Sequence, residues 1–287
     1  MHHYSPLRYP GGKNSIFQFM ASIIRENHLY GIDYAEPFAG GAGLALRLLA
    51  EGYVGRIFIN DLDHAIYCFW KSLINNNKEM CRWLEHVDVS VPSWKKYKSI
   101  HLNQSEYTEL EIAKATFFLN RTNVSGVIKG GIIGGFDQQG KYKIDARFNR
   151  GDLLKKFRKV GELSKRINLS CLDVLDFIKE ASKKSSDLFV YLDPPYVQKA
   201  SQLYMNFFEE DDHRILSKQI LKMKSRFIVS YDKSELILRL YDDLRMMTYS
   251  LQHSTSNKIG DEVVIISDNL SYKNSKGFLA NSNELGI

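Results

Sequence analysis

The chain has 287 residues, 44% of them hydrophobic and 12% aromatic, enough for one large α/β domain that carries an inserted module. Lys and Arg number 39 against 33 Asp and Glu, a formal net charge of +6 that favours a polyanionic partner. No apolar run approaches the roughly 18 residues of a membrane span, and the N-terminal MHHYSPLRYPGGK has no apolar signal core. Cys68, Cys81 and Cys171 form neither a CxxC pair nor a zinc spacing. Export, a membrane span and a structural zinc are therefore not expected.

KNSIFQFMASIIREN predicts a helix, with Ile16, Phe19, Met20, Ile23 and Ile24 at helical spacing. YAEPF follows as a short strand, AGGAG as a turn, and LALRLLAEG as a helix ending at Gly52. RIFIND (56–61) is a second strand and HAIYCFWKSLINN the next helix. This alternation is the βαβ grammar of a parallel sheet. From about Lys78 to Asn168 the pattern changes. LEIAKATFFLNR is helical, and the Gly-rich SGVIKGGIIGGFDQQGKYK suggests a hairpin or mobile loop. Lysines gather in this middle part, in KKYK, QGKYKIDARFNRG and LLKKFRK. The βα grammar then resumes: NLSCLD, LFVYLDPP, RFIVSYD and DEVVIIS read as strands with helices between the first four. RMMTYSL, directly before DEVVIIS, reads as its hairpin partner at the sheet edge, and the tail NLSYKNSKGFLANSNELGI as polar and frayed. Residues 78–168 thus read as an insertion into one sheet domain formed by 1–77 and 169–287.

EPFAGGAG puts Gly40, Gly41 and Gly43 between a strand and a helix, where glycine lets the backbone turn sharply and approach a ligand. About 20 residues on, Asp61 ends the next strand, where a carboxylate can accept hydrogen bonds from ribose hydroxyls. The pattern is neither GxGxxG nor GxxxxGK[ST]. A nucleoside cofactor without a pyrophosphate fits better than NAD or ATP.

YLDPPY (191–196) ends a strand with two prolines, neither of which can donate to a sheet ladder. Ligands bind at the carboxyl edge of such sheets. Asp193 supplies a carboxylate, Pro194 a carbonyl and Tyr196 a ring face. An exocyclic amine on a base is a poor nucleophile because its lone pair is delocalised. Two acceptors can aim it and stabilise the charge that grows as it attacks. A base so held must leave the duplex. Stacking alone needs only the ring of Tyr196, not its hydroxyl.

These motifs, together with the N-terminal RYPGGK and FLNRTNVSG, make the chain resemble the D12-class, Dam-type N6-adenine-specific DNA methyltransferases. The resemblance spans nearly the whole chain. It implies a Rossmann-like, S-adenosylmethionine-dependent methyltransferase sheet with an inserted, mostly helical target-recognition domain carrying a hairpin. It implies methyl transfer from S-adenosylmethionine to N6 of adenine in a specific DNA sequence, by base flipping and direct attack. Asp193, Pro194, Pro195 and Tyr196 would be catalytic. Tyr9, Lys13, Phe38, Gly40, Gly41, Gly43, Asp61, Asp173, Val174 and Asp193 would meet the cofactor. Arg8, Asn120, Arg121, Asn123, Lys129, Lys141, Tyr142, Lys143 and Arg147 would meet DNA. Ser125 stands where the family commonly has Asn, a departure within the DNA-contact loop. Asp173 also reads as a helix N-cap, and His213 as structural. Such an enzyme works on double-stranded DNA in the cytoplasm, with no metal or membrane, alone or beside a partner restriction endonuclease. The same residues leave room for cytosine N4, adenine in RNA or a protein glutamine as acceptor, and for a non-catalytic DNA-binding relative.

Overall fold

The structure is a computed structural model and describes residues 4–8, 13–197, 208–252 and 259–285. Its strands are β1 (Asp33–Glu36), β2 (Arg56–Asn60), β3 (Ile167–Ser170), β4 (Leu188–Leu192), β5 (Arg226–Asp232), β6 (Arg245–Gln252), β7 (Ile259–Ile266) and β8 (Asn283–Leu285). They form one sheet in the order β3-β2-β1-β4-β5-β7-β6-β8. The first five in that order run parallel, and β7 is antiparallel to both β5 and β6. The fold is the Rossmann-like methyltransferase sheet that the resemblance implies. All five residues of β4, LFVYL, are buried, as befits a parallel strand covered on both faces. The strand order reverses between β1 and β4, which are neighbours, so Glu36 and Asp193 emerge side by side at the carboxyl edge. That edge at that point is where open α/β sheets hold ligands.

Four helices separate β2 from β3 beyond α3 (His64–Asn75): α4 (Asn77–His86), α5 (Val91–Leu102), α6 (Glu109–Thr122) and α7 (Arg150–Leu163). Their starts are marked in the sequence. Asp63 caps α3, Ser90 caps α5, and Thr108 with Glu111 forms a reciprocal capping box on α6. Phe69 of α3 stacks on Phe117 of α6 at 5.6 Å, and Phe117 meets Phe157 of α7 edge-on at 4.8 Å. The inserted helices therefore share one core with the helix that follows β2.

Two expectations need correction. The Gly-rich segment is not a hairpin of strands; among the described residues no strand lies between Asn60 and Ile167. A single antiparallel bridge, Asn123 to Ile132, is followed by successive turns. The reason is that side chains replace the ladder. Gln138 donates to the carbonyls of Ile133 and Gly135 and accepts from the Ile144 amide. Gly134 has φ +84°, and a Cβ there would lie 2.7 Å from the Tyr142 carbonyl, so the chain folds back too tightly for a paired strand. The tail is not frayed. Leu270 and Leu279 are buried, Asn27 exchanges hydrogen bonds of 2.7 Å with the Ser271 backbone in both directions, and Glu26 accepts from Ser271 and Ser275. Its last segment adds β8 beside β6, so β8 and not the β6–β7 hairpin forms the sheet edge. The polar residues that suggested disorder are the ones that dock the tail.

Because Phe117 is fully buried between α3 and α7, Phe117→Ala should cost about 3–5 kcal/mol of unfolding free energy. Urea unfolding followed by circular dichroism checks this, with one transition expected for sheet and insertion together.

Candidate active site

The turn after β1 is built on backbone amides and one asparagine. Asn60, 1% exposed at the end of β2, donates to the carbonyls of Pro37 and Leu172 and accepts from the Leu172 amide and the Ser170 hydroxyl. It thus staples the ends of β1, β2 and β3 into one floor. Gly40 donates its amide to Asp61 at 2.8 Å, and Trp70 donates to the Gly40 carbonyl at 2.8 Å. Gly40 (φ +46°) and Ala42 (φ +45°) are both left-handed, and Gly43 opens the helix Gly43–Ala50. Phe38 packs edge-on against Phe208, with centroids 5.9 Å apart. Burial pushes the Asp61 carboxyl up to about 7, although the Asp63 and Gly40 amides both favour its charged form. Each oxygen receives one amide and keeps a second lone pair for a ligand hydroxyl.

Asp173 caps the helix Val174–Lys184 by accepting from Leu175 at 2.8 Å, and Val174 is buried. The N-cap reading of Asp173 holds. Tyr9 lies outside the described residues.

Asp193 stands at the end of β4 with a partly exposed side chain. Ser230 of β5 donates to its Oδ1 at 2.8 Å, and Tyr191 and Ser230 share a hydrogen bond of 2.7 Å. Lys13, 6% exposed, places Nζ 3.3 Å from the same Oδ1 and 3.2 Å from Glu262 Oε2. Among the described residues the Ser230 and Lys13 contacts to Asp193 both fall on Oδ1, which leaves Oδ2 and the Pro194 carbonyl facing outward from this network. Lys13 also donates to the Tyr196 hydroxyl and lies 4.9 Å from the centre of that ring. Tyr196 donates to Glu262 Oε1 at 2.5 Å, and Tyr249 donates to Glu262 Oε2. The Val197 amide donates to Asp232 at 3.1 Å, which holds the chain just past the two prolines.

The electrostatics follow from this geometry. Burial raises the Asp193 carboxyl, Lys13 opposes, Glu262 adds to the rise, and the balance is about 6. Burial alone would lower the Lys13 ammonium, but Asp193 and Glu262 together hold it above its ordinary value. Glu36, 5% exposed and bonded by the Tyr34 hydroxyl at 2.9 Å, is pushed by burial up to about 8.

Sequence reasoning did not single out Asn60, Ser230, Tyr249, Glu262 or Glu36. For Ser230 the available signal was a polar residue inside an apolar strand, as in FIVSYD. His213 is buried and bonds Tyr231 at 3.1 Å, in keeping with a structural role.

On the insertion, Asn120 and Asn123 are buried and spent, contrary to a direct DNA role. Asn120 binds the Arg8 amide, the Arg8 carbonyl and the Gly126 carbonyl. Asn123 binds Trp94 and the carbonyls of Val127 and Ile128. They frame the loop from inside. Arg8, Arg121 and Arg147 converge: Arg121 donates to the Arg147 carbonyl at 2.8 Å, and its guanidinium is lowered by burial first and then by Arg8. Ser125 is left-handed and exposed. Lys129, Lys141, Tyr142, Lys143 and Arg147 are exposed, with Lys141 and Arg147 flanking the Tyr142 ring at 5.7 and 5.8 Å. Lys143 donates to the Gln138 carbonyl.

Among the described residues one grouping, His64, Cys68 and Glu109, brings three candidate metal-ligand atoms within 4.8 Å of one another. Glu109 is already paired with Lys71 at 2.7 Å, and burial pushes the Cys68 thiol up to about 12. The three side chains are satisfied without a cation.

No curated protein matches the sequence. Among solved structures, the rRNA methyltransferase aviRa from Streptomyces viridochromogenes is similar, at 12% identity and a TM-score of 0.33, over 86% of this chain and 82% of that one. The family model for the D12 class N6 adenine-specific DNA methyltransferases matches residues 9–256. That span runs from the segment leading into Lys13, through the glycine turn, Asp61 and the insertion, past Asp193 to Tyr196 and on beyond β6. With the match covering most of the chain, the protein belongs to the D12 class of N6 adenine-specific DNA methyltransferases and methylates adenine in DNA.

Proposed function

We propose that the target adenine is bound out of the duplex on Tyr196, with its N6 hydrogens accepted by Asp193 and by the Pro194 carbonyl, and that the methyl donor is S-adenosylmethionine. The observation that carries this reading is the tethering of Asp193. Ser230 and Lys13 both fix Oδ1, at the point where the strand order reverses. Asp193 Oδ2 and the Pro194 carbonyl then form a pair of acceptors on a stiff Pro-Pro frame. They stabilise the positive charge that grows on nitrogen as its lone pair attacks, and the surplus proton leaves to solvent after the N–C bond forms.

The residues fit the donor in their chemistry. S-adenosylmethionine, when bound, supplies a methyl group activated on a sulfonium. The Glu36 and Asp193 carboxyls are both held up by burial, and a cationic donor bound beside them would favour their charged forms. Asp61 keeps lone pairs suited to a ribose diol, and the turn from Phe38 to Gly43 offers backbone at close range. Lys13 serves the site from its inner side by neutralising Asp193.

For DNA, residues 78–168 serve as the recognition insertion to the sheet domain of 1–77 and 169–287. The convergent Arg8, Arg121 and Arg147, with exposed Lys129 and Lys141 nearby in sequence, make a surface suited to phosphates. Tyr142, 57% exposed, offers an aromatic face among these charges. No helix among the described residues is long and apolar enough to cross a membrane.

Labelled methyl transfer to unmethylated DNA and, separately, to RNA, with products digested to nucleosides, tests the reading; N6-methyldeoxyadenosine from DNA is expected. Asp193→Ala should lower turnover by at least about 10²-fold while DNA affinity changes little. A wild-type rate in that variant overturns the assignment. Because the ionised Asp193 stabilises the positive charge that grows on the amine far better than the neutral acid does, and its carboxyl sits at about 6, kcat/KM should be flat above that pH and fall as pH drops through it. The limb for kcat should lie lower, since the bound cation favours the carboxylate. Lys129→Ala combined with Lys141→Ala should weaken binding to target and non-target DNA alike and reduce the slope of log K against log salt by about 2, as read by fluorescence anisotropy over a salt series.

A further inference from the structure

We propose that Glu262 is a positioning residue for methyl transfer: its carboxylate fixes the Tyr196 ring through the hydroxyl and holds Lys13 against Asp193. The proposal rests on the reading of Asp193 to Tyr196 as the target-base site.

Glu262 lies on β7, directly across from Asp232 of β5 and Tyr249 of β6. It is 1% exposed, and its neighbours along the strand, Val263 to Ile266, are wholly buried and apolar. A carboxylate in such a place is costly unless charged or hydrogen-bonded partners surround it. Its partners among the described residues belong to the site or brace it. Tyr196 occupies Oε1 at 2.5 Å; Lys13 at 3.2 Å and the Tyr249 hydroxyl occupy Oε2. A strand needed only to join β5 to β6 would be served by another apolar residue here.

Two consequences follow for chemistry. First, the Tyr196 ring is not free to turn. Its hydroxyl is anchored at the far end from the backbone, so a base stacked on it has a fixed plane. The hydroxyl then matters as well as the ring, which revises the expectation that stacking alone sets its role. Second, Asp193 and Glu262 share one ammonium, which holds Lys13 between them. The groups that face Asp193 electrostatically are Lys13, Glu262, Glu36, Tyr34, Tyr191, Tyr196, Tyr231 and Tyr249. The tyrosines are all pushed above their ordinary value and stay neutral through the working range. Of the remaining groups, Lys13 lowers Asp193 and Glu262 raises it.

The test uses Glu262→Gln, which keeps the size and polarity of the side chain but removes its charge. Single-turnover methyl transfer should slow by about tenfold or more, while the dissociation constants for S-adenosylmethionine and DNA stay within about threefold. The acid limb of its pH–rate profile should move to lower pH, because a negative neighbour that favours protonated Asp193 is gone. A merely structural role would not move that limb. Tyr196→Phe should lose rate to a similar degree, and the combined variant should lose less than the two single losses multiplied, since Tyr196→Phe removes and Glu262→Gln weakens the same charge-assisted hydrogen bond. Wild-type rate and profile in Glu262→Gln, or additive losses in the combined variant, overturn the proposal. Should Glu262→Gln not fold, Tyr196→Phe carries the test, and a wild-type rate in it overturns the proposal. Asp193→Ala separates the two levels. If it is inactive while Glu262→Gln behaves as wild type, only the role of Glu262 falls. If Asp193→Ala is itself active, the reading of the site falls.

Discussion

Asp193 sits where the sheet reverses its strand order, and there a carboxylate has to remain both partly withdrawn from water and charged. Desolvation favours its neutral form; Lys13 and Ser230 favour the ionised one. Much of the surrounding structure answers this conflict. Lys13 opens the first helical turn so that its ammonium can reach inward, and Glu262 gives that ammonium a second partner. Ser230 and Asp232 stand two apart on one face of β5, so one grips Asp193 and the other the chain at Val197. The segment from Asp193 to Val197 thus owes its position to three elements distant in sequence, and little to its own hydrogen bonds.

This division explains what could be read from the sequence. The βαβ alternation and the glycine turn were legible because each rests on local periodicity and backbone freedom. The apolar run LFVYL announced a covered parallel strand, and DPPY announced its end. Glu262 was not legible, because its partners lie 66 and 249 residues away and nothing local distinguishes it from the solvent-facing acid that often begins a strand. Asn60 was hidden in the same way, between an apolar strand and the Asp61 that drew notice. The two misread segments share one cause. Polar and glycine-rich stretches suggest a hairpin or a frayed end when their partners are unknown, yet Gln138 satisfies one backbone from within its own loop and Glu26 the other by tertiary contact.

The insertion and the sheet meet through aromatic packing at Phe69, Phe117 and Phe157, and through the N-terminal segment. Arg8 is held by Asn120 on both its amide and its carbonyl, and Asn120 also holds Gly126. The N-terminal segment at Arg8 is therefore tied to the loop that bears the exposed basic residues.

The framing of that loop by Asn123 and Gln138 has a bearing on which of its positions can be exchanged. Their hydrogen bonds reach backbone atoms, which any sequence possesses, and their own amides point inward. The exposed side chains at 129, 141 and 142 make no hydrogen bond within this frame, whereas Phe136 packs edge-on against Trp94, which donates to Asn123. The loop's shape is therefore set from inside, and substitution at 129, 141 or 142 leaves its hydrogen-bonded frame in place.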